Sequence, residues 1–119
     1  MTKNRWRKKI IESCEAAGTY RPFFDPVIDT LADILNKRDE AQELFEKTGG
    51  NTIVKHTNKS GAVNLEQNPV LRLINDYNRD ALTYWRDLGL TPAGLRKIND
   101  KAMQKQKKNA LAEALKSIG

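Results

Sequence analysis

The 119-residue sequence contains one cysteine and one histidine. It has no apolar run near the roughly 18 residues of a membrane span, and its start, MTKNRWRKK, lacks the apolar segment of a secretory signal. Cys14 by itself forms neither an internal disulfide nor a zinc site, as is typical of a reducing compartment. We therefore expect one soluble, intracellular domain without membrane contact and with Cys14 packed in its interior.

Groups that carry out catalysis are equally scarce. His56, the sole histidine, lies in a segment without a recognisable nucleophile motif, and general-base catalysis needs positioned partners. The chain has no glycine-rich phosphate loop, and the acidic residues near its middle have no histidine beside them. The sequence therefore predicts a protein that is not an enzyme and that uses no metal or cofactor.

Positive charge is abundant, and it lies mainly at the two ends of the chain. Residues 1–20 carry a net charge of +3, residues 21–50 carry −3, residues 51–100 carry +2 and residues 101–119 carry +4, which gives +6 overall. Terminal basic patches suit a polyanion, and nucleic acid is the commonest one. The predicted phosphate contacts are, first, Arg5, Arg7, Lys8 and Lys9 and, second, Lys105, Lys107 and Lys108.

Capping residues and apolar periodicity predict three main helices. The first covers Lys3–Ala17, and the second runs from the Asp25-Pro26 pair to about Lys47. The third begins with Asn68 as its cap, carries one apolar stripe over about six turns and ends before Gly89. Since the second and third helices fold back on each other, they form a long antiparallel hairpin.

The fold class is therefore mainly all-α, with shorter elements flanking that hairpin. Thr91 and Pro92 begin a short helix through Ile98, and a terminal helix has Leu111, Leu115 and Ile118 on one face. Residues 51–67 form either a functional loop or a small β-hairpin at 52–65, because TIVKHT alternates and NKSG is turn-like. One domain results, with a basic helix at 1–20, a hairpin core at 21–98 and a basic helix or tail at 99–119.

Large apolar residues on the hairpin predict a further contact, either with another subunit or with the first helix. Two helices alone do not cover both stripes, so neighbouring subunits or the first helix must cover the rest. For the aromatic residues we favour core or interface over base stacking, whereas Trp6 remains open between an anchor and a nucleic-acid contact. The predicted interface comprises Leu31, Ile34, Leu35, Ile74, Tyr77, Tyr84, Trp85 and Leu88.

The stretch HTNKSGAVNLEQNPVLRLINDYNRDALTYWRDLGLTPAGLRKI resembles the small subunit of phage terminase, the DNA-packaging complex of tailed bacteriophages. The resemblance covers Tyr20 to Ile98, and its most diagnostic pieces are the Asn68-Pro69 opening and the closing LGLTPAGLRKI. It implies a non-catalytic protein that assembles into rings, recognises double-stranded viral DNA and regulates the large subunit, which carries the ATPase and nuclease. Many members also have an N-terminal helix-turn-helix domain, which this chain lacks, so its DNA contacts must lie elsewhere.

Two other functions fit the same helices. The corner at Gly89 to Ile98 could begin a helix-turn-helix of a DNA-binding regulator, which predicts a dimer and a palindromic site read by Arg96 or Lys97. A helical adaptor that binds only protein would show no salt-sensitive DNA binding.

Overall fold

A computed structural model describes residues 1–118, and Gly119 and the side chain of Ile118 lie outside the described part. Within residues 1–118, the α-helices are α1 (Lys3–Ala17), α2 (Asp25–Lys47), α3 (Pro69–Asp87) and α4 (Pro92–Ile118). A 3₁₀ turn at Pro22–Phe24 precedes α2, and strands β1 (Ile53–Thr57) and β2 (Val63–Gln67) connect α2 to α3. The prediction of a mainly helical fold with a small β-hairpin is confirmed.

The first three helices form a body with one apolar core. α1 contributes Trp6, Ile10 and Cys14, and their side chains pack with residues from the first half of α2 and the second half of α3. Six core residues are fully buried, and each large one contributes about 1.5–3 kcal/mol of burial free energy. The first helix therefore covers much of the apolar surface that the α2–α3 pair alone leaves open.

Asn68 joins the β-hairpin to the start of α3. Its side-chain oxygen accepts a 3.0 Å hydrogen bond from the backbone N–H of Val70, which is the predicted N-cap. Its amide nitrogen donates to the backbone oxygen of Asn51, and its own backbone N–H donates to Thr52 at 2.8 Å. One buried polar residue thus fixes the base of the hairpin and the direction of α3.

The two strands pair in antiparallel register from Ile53 opposite Gln67 to Thr57 opposite Val63. Asn58 closes the turn, because its side-chain oxygen accepts from the backbone N–H groups of Ser60 and Ala62 at 3.0 Å each. The other elements leave most of the β-hairpin uncovered, so the apolar side chains of Ile53 and Leu65 stay exposed. The β-hairpin therefore projects from the body, and we call it the first arm.

The second arm is α4. A short helix ending near Ile98 and a separate terminal helix were expected, but one helix runs unbroken from Pro92 to Ile118. No proline or glycine follows Gly94 within α4, and residues 99–117 are mostly good helix formers, so nothing in the sequence ends the helix at Ile98. Every residue from Asn99 to Ser117 is exposed.

The two arms give the molecule an elongated shape. Its radius of gyration is 22.3 Å, against roughly 13–14 Å for a compact domain of this length, and its longest dimension is 85 Å. The β-hairpin lies at one end of the antiparallel α2–α3 pair, and α4 leaves from the other end. In the described part of the chain, no helix is long and apolar enough to cross a membrane.

Candidate nucleic-acid and assembly surfaces

The basic residues of α1 divide into two sets. Arg7 and Lys3 turn towards α2, where both bind the carboxylate of Asp29, at 2.9 Å and 3.2 Å respectively. The hydrogen bonds from Arg7 and then Lys3 lower the pKa of Asp29 below its usual range. One of the four cations predicted to bind phosphate is therefore engaged in holding α1 against α2.

Trp6 anchors α1 to the body. Only 9% of the residue is exposed, and its indole N–H donates to the Asp39 carboxylate at 2.7 Å. The ammonium of Lys9 lies 5.3 Å from the ring centre, and the Arg38 guanidinium lies 5.4 Å from it. The choice left open by the sequence is resolved in favour of an anchor, because a buried ring is not free to stack on a base.

Asp39 is the acceptor at the centre of this contact. It also accepts from the guanidinium of Arg38 at 3.1 Å and from the amino group of Met1 at 3.2 Å. Burial raises the pKa of Asp39, but the hydrogen bonds from Trp6, Arg38 and the amino group together outweigh burial and lower it. The carboxylate therefore stays charged and holds α1 to the middle of α2.

Arg5, Lys8 and Lys9 remain exposed on the outer side of α1. Among the described residues none of the three forms an ion pair, although the acidic Glu12 and Glu15 lie on the same helix. This surface offers three cations to a phosphate backbone, but the two carboxylates reduce its net positive charge.

The lysines predicted near the end of the chain, Lys105, Lys107 and Lys108, are all exposed on α4. Nearer the body, Arg86 of α3 lines a cleft of about 350 Å³ together with Lys97 and Lys101 of α4. Arg86 and Lys101 were absent from the predicted contacts. The i, i+4 spacing of Lys97, Lys101 and Lys105 was the signal that could have found Lys101, whereas the position of Arg86 depends on tertiary structure.

The predicted interface residues fall into two groups. Leu31 and Leu35 are fully buried, and Leu88 and Ile74 are 2% and 5% exposed. These four residues belong to the interior of the chain itself, because α1 and the packing of α2 against α3 cover them. Their apolar periodicity therefore marks an internal contact. The residues that keep some exposure are Ile34, Tyr77, Tyr84 and Trp85.

Tyr77 belongs to an open apolar groove between the end of α2 and the start of α3. The groove has a volume of about 320 Å³, and Leu44, Val70 and Leu73 also line it. Leu44 is 50% exposed and Leu73 43% exposed, which is high for large aliphatic residues. Tyr84 and Trp85 lie further along α3 and pack against the core, so the structure does not bring the four partly exposed residues into one patch.

The single histidine and the single cysteine lie outside the surfaces described above. His56 lies exposed on β1 opposite Asn64. Cys14 is fully buried in the core, and burial raises the pKa of its thiol. Within residues 1–118, no group of three histidine, cysteine or acidic residues is arranged to hold a metal ion.

Comparison with known families identifies a match over nearly the whole chain. A model of the family described as phage terminase, small subunit, matches residues 3–114. Comparisons with curated proteins and with solved structures give no significant match. The matched range includes α1 and most of α4, so it extends on both sides of the Tyr20 to Ile98 stretch that carries the sequence resemblance.

Proposed function

Because the chain belongs to the phage terminase small-subunit family, we propose that it is the non-catalytic DNA-recognition and regulatory component of a packaging terminase. It assembles with copies of itself into a ring, binds double-stranded viral DNA and acts with the large ATPase and nuclease subunit in the host cytoplasm. The observation that carries this proposal is the family match over residues 3–114.

Self-assembly is supported by the apolar groove lined by Leu44, Val70, Leu73 and Tyr77. Exposed aliphatic residues around an aromatic one are typical of the core of a subunit interface. Ile34, Tyr84 and Trp85, which are partly exposed and pack against the core, form a second part of the proposed contact surface, separate from the groove. Leu31, Leu35, Ile74 and Leu88 support this surface from within the body.

DNA binding is supported by exposed cations at both ends of the chain. Arg5, Lys8 and Lys9 lie on α1, with Arg7 beside them, and Lys105, Lys107 and Lys108 lie on α4. Contacts through phosphates release counterions, so affinity should fall steeply with salt and vary little with base sequence.

Native mass spectrometry and light scattering test the assembly. We expect a closed oligomer at tens of micromolar, and we expect Leu44→Ser with Leu73→Ser to reduce its mass while the helical circular dichroism is kept. The matched control is Val63→Ser with Leu65→Ser, which removes exposed apolar side chains from the β-hairpin and should leave the mass unchanged.

A strict monomer at tens of micromolar would contradict the proposal. A dimer that binds one palindromic site, with specificity lost on changing Arg96 or Lys97, would instead indicate a helix-turn-helix regulator. A protein without salt-sensitive DNA binding would be an adaptor.

A further inference from the structure

Four lysines follow one side of α4. Lys97, Lys101, Lys105 and Lys108 fall within about 80° of each other around the helix, and they rise over about 16 Å along its axis. All four are exposed, and none forms an ion pair in the part of the chain that the structure describes. Their ammonium groups are therefore available to an external anion.

In the described part of α4, the carboxylate nearest to this row is Asp100, which lines a groove with Lys97 and Lys101. The acidic residues of the helix are Asp100 and Glu113, and each lies about 100° or more around the helix from the centre of the lysine row. Lys107 lies about 120° from that centre and belongs to a different side. The row is thus a continuous positive strip, whereas the outer side of α1 mixes its cations with Glu12 and Glu15.

The body extends this strip by one more cation. Arg86, the penultimate residue of α3, lines the same cleft as Lys97 and Lys101, together with one carboxylate, Asp87. Gly94 makes this approach close, because a Cβ at that position would collide with the backbone carbonyl of Arg86. The Thr91 hydroxyl accepts a 3.0 Å hydrogen bond from the Gly94 N–H and fixes the start of α4 beside α3.

We propose that Arg86, Lys97, Lys101, Lys105 and Lys108, called the corner strip, form the principal phosphate-binding site for duplex DNA, and that α1 is secondary. This inference rests on the proposed DNA-binding function and reverses the order of the two sites. About 16 Å of duplex carries roughly ten phosphates, so the five cations can each meet one on the near side. Lysines bind phosphates as flexible point charges, which makes the contact independent of base sequence.

Measurement of duplex affinity against salt tests the corner strip. The strip variant changes Lys97, Lys101, Lys105 and Lys108 to Gln, which has nearly the helix propensity of Lys. The control variant changes Lys47, Lys55, Lys59 and Arg72 to Gln, so it loses the same charge from exposed positions outside the strip and outside the other proposed DNA contacts. A third variant replaces the four strip lysines by Arg and keeps their charge.

The slope of log affinity against log salt should become less steep in the strip variant by about 3–4 for each protomer that contacts the duplex. At low salt its affinity should fall by more than tenfold, on two unrelated duplex sequences alike. The control and the Arg variant should keep the wild-type slope to within about one unit. Helical circular dichroism and assembly mass should be equal in the wild type and the three variants. That result would exclude misfolding as the cause of the loss of affinity.

An unchanged slope in the strip variant, or equal losses in the strip and control variants, would overturn the corner strip while leaving the proposed function intact. Displacement of the duplex by polyglutamate as efficiently as by unlabelled duplex would also overturn it, in favour of an acidic protein partner. If the wild-type protein bound no duplex at 50 mM salt, the DNA-binding part of the proposed function itself would fail.

Discussion

The body and the α4 arm belong to the same chain but are stabilised differently. In the body, α1, α2 and α3 each place apolar residues in one core, and Ile10, Ile28, Leu31 and Leu35 are fully buried there. In the arm, all residues from Asn99 to Ser117 are exposed, including Leu111 and Leu115 at 61% and 62%. Tertiary packing holds the body, whereas the outer part of α4 depends on helix propensity alone.

The body is stabilised by contacts within the chain, whereas the arm presents exposed side chains that are available for contact with other molecules. Most helical stability in proteins comes from tertiary packing, so the unpacked outer part of α4 gains stability from a surface that it contacts. Among the described residues, its lysines form no ion pair of the kind that engages Lys3 and Arg7 in the body. If the arm binds a partner, its folding would therefore be coupled to that binding more closely than the folding of the packed body.

The strongest test of this comparison removes one leucine from each region. Leu31→Ala should lower the free energy of unfolding by about 2–5 kcal/mol, because it leaves a cavity in the core. Leu111→Ala should change it by less than about 0.5 kcal/mol, because the side chain is mostly exposed and Ala is the better helix former. Urea denaturation at one fixed protein concentration measures both. Similar losses in the two variants would show that α4 is packed in solution.

The corner at which the arm leaves the body gives a second test. Gly→Ala inside a helix normally stabilises by about 1 kcal/mol. Gly94→Ala should instead destabilise by about 1–3 kcal/mol, since its Cβ would collide with the Arg86 carbonyl and force α4 away from α3. The exposed Asn99→Ala, one turn later, is the control and should stabilise slightly. A stabilising Gly94→Ala would mean that α4 is not held against α3.

Local sequence signals were sufficient for most of the fold. The Asn68 cap before α3 and the Thr91 cap before α4 each accept the hydrogen bond that their positions predict, and Thr2, which was not predicted as a cap, accepts one at the start of α1. Gly89 ends the third helix with φ +73°, and a side chain there would meet Ile98 and Thr19. The β-hairpin was also predictable, because an alternating strand and an Asn-containing turn are encoded within a few residues.

The surfaces were less predictable, because they depend on which elements meet. Periodicity identified Leu31 and Leu88 as apolar positions, but it does not say whether α1 or another subunit covers them. Arg7 reads as a free cation in the sequence, yet its partner Asp29 lies 22 residues away. Arg86 and Lys97 share a cleft only because Gly94 permits the close crossing of two helices.

The smallest expected effect concerns pH and tests how α1 is held to the body. The folded chain lowers the pKa of Asp39 below its value in the unfolded chain, so the unfolded state binds the proton more tightly. The resulting stabilisation is complete above the unfolded pKa of about 4 and is lost as the pH falls through the folded pKa. Asp29, whose pKa is also lowered, contributes with the same sign.

Asp39→Asn should therefore cost about 1 kcal/mol at pH 7, where the carboxylate accepts from the Trp6 indole and Arg38. The difference in Tm between wild type and variant should shrink as the pH is lowered from 5 to 3, because protonation removes the same charge from the wild type. Asp80→Asn, an exposed residue without an ion pair among the described residues, should follow the wild-type curve throughout. A Tm difference that stayed constant down to pH 3 would show that the charge of Asp39 does not hold α1, and that the Trp6 ring anchors the helix by packing alone.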